Sequence, residues 1–190
     1  MRYLYLTIAA LAFALPAAAL AAGSPSPSAL ANQSCKTLQT QLGAATFKTT
    51  YGTNVSRSNA FGRCVTRTTS ANEANAQNAS KTCKAWQADP NFATAGTTNN
   101  PSHLAFNALY GTNGQAAKGK SADANALGKC VSTLAKQSAN QQTHATIAAV
   151  KTCKTLAAST DPTVKAQFAH DYGTGRNAFG ACVAKQSKHS

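Results

Sequence analysis

Six cysteines are the most reactive groups in this chain, at positions 35, 64, 83, 130, 153 and 182. Zinc sites draw their thiolates from close Cys-x-x-Cys pairs, and no such pair occurs. An even count in a chain that opens with an export signal therefore reads as three disulfides and no metal centre. Other chemistry is sparse. Glu73, Asp89, Asp123, Asp161 and Asp171 are the only carboxylates. They stand singly, with no pair placed for acid–base work on a glycosidic bond. His103, His144, His170 and His189 fall at unrelated positions, and His170-Asp171 beside Tyr172 is their only cluster. Gly111-Thr-Asn-Gly114 lacks the spacing and the lysine of a phosphate-binding loop. The expectation is a non-enzyme with no catalytic residue, metal or cofactor.

Charge is the functional lead. Without Arg2 the 18 basic residues become 17 against 5 acidic ones, a net +12. An exported protein of that charge is drawn to polyanions such as anionic envelope polymers and acidic polysaccharides. Lysine follows the first cysteine of each presumptive pair, at Lys36, Lys84 and Lys154, and Arg57, Arg63, Arg67, Lys118, Lys120 and Lys129 gather further along the first two. These nine are the candidate polyanion-binding residues, expected to act as a distributed set. Nucleic acid ranks lower as a partner, because the basic residues are not interleaved with exposed aromatics. Two readings compete with polymer binding. A cationic antimicrobial or toxin-like effector would need a basic face opposite a broad exposed apolar face. Well-spaced lysines can also serve solubility alone.

The elements that position these residues are repeated. Phe47…Tyr51-Gly52-Thr53 followed by Asn59-Ala60-Phe61-Gly62-Arg63-Cys64-Val65 recurs as Phe106…Tyr110-Gly111-Thr112 with Asn125-Ala126-Leu127-Gly128-Lys129-Cys130-Val131. It recurs again as Phe168…Tyr172-Gly173-Thr174 with Asn177-Ala178-Phe179-Gly180-Ala181-Cys182-Val183. Each unit holds one upstream and one downstream cysteine, so the economical pairing is Cys35–Cys64, Cys83–Cys130 and Cys153–Cys182. The signature resembles repeats of uncharacterised secreted bacterial proteins of actinobacterial type. That resemblance implies export and repetition and no particular chemistry.

The reading divides the chain into a signal peptide at 1–21, a Ser/Pro linker at 22–31, repeats at 32–68, 82–135 and 147–187, and linkers at 69–81 and 136–146. Leu4 to Leu20 is an apolar run broken by Pro16, ending in Ala19-Leu20-Ala21, which favours cleavage over a membrane anchor. The expected address is extracellular or cell-envelope, with no transmembrane segment in the mature chain.

Within a unit the apolar spacing is helical. Val164, Phe168 and Tyr172 recur every four residues after Asp161-Pro162, a cap followed by proline at N1. The glycine after each tyrosine is expected to end a helix in the left-handed conformation. Gly62, Gly128 and Gly180 fall early in the next helix, where a close helix crossing would explain them. Both linkers lack glycine and proline. Cys64 to Cys83 is 19 residues and Cys130 to Cys153 is 23. The difference of four, close to one turn, favours continuous helices. Large apolar residues are too few for each unit to fold unaided, whereas closing a 29-residue loop is worth roughly 3–4 kcal/mol. The expected fold is all-α: three disulfide-stapled helical repeat units joined by long helical linkers.

Overall fold

The structure, a computed structural model, describes residues 25–93, 105–111 and 125–188. The expected signal peptide, Lys118, Lys120, His103, Asp123 and His189 lie outside them. Among the described residues there are seven helices and no strand. They are α1 Pro27–Leu42, α2 Ala44–Tyr51, α3 Ala60–Ala88, α4 Phe106–Tyr110, α5 Ala126–Ala157, α6 Pro162–Tyr172 and α7 Ala178–Gln186.

The Ser/Pro segment at 22–31 is not a linker throughout. Ser26 caps α1, its hydroxyl accepting the Ala29 N–H at 3.2 Å, and Pro27 opens the helix. A Ser-Pro step is flexible by composition, yet it is also a cap followed by a residue whose φ is already helical. Leu30 and Ala31 are consequently buried core. Asp161 caps α6 as its sequence implies, accepting the Thr163 N–H at 2.7 Å.

Three disulfides join Cys35–Cys64, Cys83–Cys130 and Cys153–Cys182, each with Cα atoms 6.0 Å apart. All six cysteines are fully buried. Beside each bridge the signature builds the same small core. Its phenylalanine and tyrosine, one helical turn apart, bring their ring centroids to 5.0 Å in Phe47–Tyr51, 5.1 Å in Phe106–Tyr110 and 5.0 Å in Phe168–Tyr172. The alanine after the signature asparagine is buried in all three, as Ala60, Ala126 and Ala178. In the first unit Asn59 closes the intervening loop: its carbonyl accepts the Thr53 N–H at 3.1 Å and its amide donates to the Thr53 hydroxyl at 2.9 Å.

Each Tyr-Gly step does stop a helix, with the glycine N–H reaching back four residues at 2.8 Å in all three copies. None of the three takes the expected left-handed helical conformation: only Gly173 has a positive φ, 86°, and its ψ of 169° leaves it extended in a region open to glycine. Gly52 and Gly111 are extended, with φ −73° and −68°. Gly52 is required for a different reason: a Cβ there would lie 2.5 Å from the Arg57 Cβ and 2.7 Å from the Lys48 carbonyl oxygen.

The segments at 69–81 and 136–146 form the body of the molecule. The first lies inside α3 and the second inside α5, and Asn72, Ala79, Ala139, Thr143 and Thr146 are buried there. α1 runs antiparallel to α3, for Cys35 is bonded to Cys64 while the Asn72 amide donates to the Pro27 carbonyl at 3.1 Å. α5 returns antiparallel along α3 from the Cys83–Cys130 bridge. Since α3 is continuous over the 19 residues from Cys64 to Cys83, those cysteines are ~28 Å apart along its axis. The units therefore alternate ends instead of stacking in a row. The first and third lie side by side, with Leu42 packed against both cores. The second stands at the far end, where Trp86 and Phe92 enlarge its core.

Candidate anion-binding cleft

Alternation of the units separates the seven described residues of the nine singled out above. Lys36, Lys84 and Lys154 are all exposed, each one residue past a buried cysteine. Lys36 and Lys154 belong to the paired units, whereas Lys84 and Lys129 flank the second disulfide at the opposite end. They do not form one stripe.

Arginine behaves differently. The sequence holds five arginines, and the four beyond Arg2 all fall on segments that meet where the first unit touches the third. Arg63 and Arg67 lie one turn apart on α3, exposed, and line a cleft of about 360 Å³. Arg57, in the loop between α2 and α3, donates from Nη2 to the Arg176 carbonyl at 3.2 Å. That bond ties the loop to the segment preceding α7, whose Asn177 also lines the cleft. Arg176 was not among the residues singled out, because it stands alone in its repeat; only the rarity of arginine against lysine marked it.

Helix packing sets the walls. α7 crosses α2 so closely that a Cβ on Gly180 would lie 2.6 Å from the Thr50 carbonyl oxygen, the close crossing anticipated for these glycines. Gly62, at the equivalent place in the first repeat, has no atom within 4 Å of such a Cβ, so the crossing does not explain it. The cleft is rimmed by Thr49, Thr53, Thr66 and Ser70, with Tyr51 in its wall. Burial pushes the Tyr51 phenol above its ordinary pKa, against the opposing pull of the Arg67 charge, so it stays protonated. Tyr51 and Arg67 also line a smaller void of about 100 Å³ between the helices.

No carboxylate of the described residues lines this cleft. The guanidiniums of Arg63 and Arg67 make no hydrogen bond or ion pair with another described residue. Among the described residues the one ion pair is His170–Asp171 at 3.0 Å, at the surface and away from the cleft. Hydrogen bonds from Gln167 and then His170 hold the Asp171 carboxyl below its usual range. Two unpaired guanidiniums held close together repel each other, and an anion between them relieves that repulsion while accepting up to two N–H groups from each.

A larger groove of about 720 Å³ runs between α1 and α5, with Lys136 and His144 as the basic residues among its described lining. It gathers no paired charge. No group of three or more His, Cys, Asp or Glu side chains able to hold a metal occurs among the described residues. No protein-family model, curated protein or solved structure matches the chain.

Proposed function

We propose that this is a secreted, cationic, non-enzymatic binding protein of the cell envelope or extracellular matrix, whose ligands are anionic polymers. One observation carries the reading: Arg63 and Arg67 line a cleft at the seam between the first and third units, Arg57 bridges the same seam to the Arg176 carbonyl, and no carboxylate of the described residues lines the cleft. Three disulfides suit an oxidising compartment. No helix among the described residues is long and apolar enough to cross a membrane. Val55 is the only large apolar side chain left fully exposed among them, which favours a polymer over a bilayer as partner.

Relative to the distributed set, this reading concentrates affinity in the arginines. Binding to immobilised heparin or long-chain polyphosphate should weaken more in the double variant Arg63→Gln/Arg67→Gln than in the triple variant Lys36→Gln/Lys84→Gln/Lys154→Gln. Equal affinity of all three proteins would refute it, as would no binding at low salt.

A further inference from the structure

We infer that the arginine cleft recognises one phosphorylated polyol or sugar unit, its phosphomonoester held by Arg63 and Arg67. The inference rests on the anionic-polymer reading and narrows it to a single chemical group. Size is the first argument. A cleft of about 360 Å³ sits at the small end of ligand sites, roughly 300–1,000 Å³, and matches a monomer better than a passing chain.

The hydroxyl rim is the second. Thr49 donates its hydroxyl proton to the Ala45 carbonyl at 3.0 Å, Thr66 to the Gly62 carbonyl at 3.0 Å, and Ser70 to the Thr66 carbonyl at 3.4 Å. The Thr49 and Thr66 protons are committed, and that of Ser70 more weakly at its longer distance, so these hydroxyl oxygens are left to act as acceptors at the cleft rim. Acceptors repel a bare anion but suit the O–H groups of a polyol. The cleft thus presents two kinds of surface, guanidinium donors for an oxyanion and hydroxyl acceptors for the carbon skeleton that bears it.

Charge is the third. A phosphomonoester carries about −1.5 to −2 charges at neutral pH and three acceptor oxygens, whereas a sulfate ester or carboxylate carries one charge. Two unpaired guanidiniums, with no carboxylate among the described lining residues, favour the dianion. The first turn of α7 adds its partial positive charge on the same side, through Asn177 and Gly180.

Calorimetry on the oxidised full chain tests this with glycerol 3-phosphate, glucose 6-phosphate, inorganic phosphate and uncharged glucose. The two esters should bind about tenfold more tightly than inorganic phosphate, the worth of one or two net hydrogen bonds, and glucose should not bind. Affinity should rise from pH 5 to pH 7, as the second phosphate ionisation near pH ~6 is completed. Arg63→Gln/Arg67→Gln should abolish binding. Thr66→Val/Ser70→Ala should erase the ester preference, bringing the ratio of ester to inorganic phosphate affinity to about one, with circular dichroism confirming the fold of both variants. Equal affinity for esters and inorganic phosphate, or an unaltered preference in Thr66→Val/Ser70→Ala, overturns the inference. Retained heparin binding in that case leaves the broader reading standing, and loss of heparin binding as well takes both down. A free sugar phosphate and the phosphorylated end of a polymer present the same group. A phosphate-capped oligosaccharide binding more tightly than glucose 6-phosphate assigns the chain end, and one binding no more tightly assigns the free ester.

Discussion

Alanine at two equivalent glycines should change stability in opposite directions. Gly62 and Gly180 occupy the same place in the signature, two residues before the downstream cysteine and early in a helix. A Cβ on Gly62 meets nothing within 4 Å, so Gly62→Ala should gain the helix preference of alanine over glycine, about 0.5–1 kcal/mol. A Cβ on Gly180 would stand 2.6 Å from the Thr50 carbonyl oxygen, against the 3.4 Å at which ordinary contact begins, so α2 and α7 must part by the difference, roughly 0.8 Å. Overpacking of that kind costs about 1–3 kcal/mol, which offsets or exceeds the same helix gain. Because the helix term is common to both, the variants should differ by about 1–3 kcal/mol. At roughly 2–4 °C per kcal/mol for a chain of this size, their midpoints should lie roughly 2–12 °C apart, with Gly62→Ala above the parent. Thermal and urea unfolding followed by circular dichroism measure this directly. Shifts of the same sign and size would show that α7 does not cross α2 at Gly180.

Other outcomes follow from the same geometry. Non-reducing digestion and mass spectrometry should recover Cys35–Cys64, Cys83–Cys130 and Cys153–Cys182, and a peptide joining Cys64 to Cys83 would contradict a continuous α3. Reduction should remove most of the helical signal, because the cores around the bridges are small; full helicity and an unchanged midpoint after reduction would refute that. α6 contains no fully buried residue, so its amides should exchange with solvent faster than those in the middle of α3 or α5. Gly173→Ala should destabilise by about 1 kcal/mol through its positive φ, whereas Gly52→Ala should destabilise through contact with Arg57 and Lys48. Trimming Arg57 to alanine beforehand should leave the Gly52→Ala cost largely in place, since the conflict involves backbone and Cβ atoms.

Local structure was largely legible in the residues. Repetition fixed the disulfide pairing, and the four-residue difference between linkers favoured α3 and α5 as unbroken helices. The direction in which each helix turns back was not legible. Helical periodicity says which face is apolar but not which neighbour will cover it, so the placing of the units at alternate ends could not be read from it. For the same reason the nine basic residues could be named from charge while their division could not. Arg57, Arg63 and Arg67 were visible as a local group; Arg176 joins them only because α5 brings the third unit back beside the first. The Tyr-Gly steps show a further limit. Glycine permits both a left-handed turn and a close approach, and the sequence at Gly52 does not distinguish them until Arg57 folds over it.

Alternating ends give the repeat number a parity. A chain of two such repeats would place one unit at each end, with no seam and no cleft. The third repeat is the first to meet an earlier one, where α7 crosses α2, and Gly180 is needed at that crossing. Gly62 stands at a position where a Cβ would meet nothing within 4 Å. A fourth repeat would settle beside the second and create another seam at the far end. Duplication in this architecture would therefore add sites at every second end in turn, so that valency rises with repeat number only from the third copy onward.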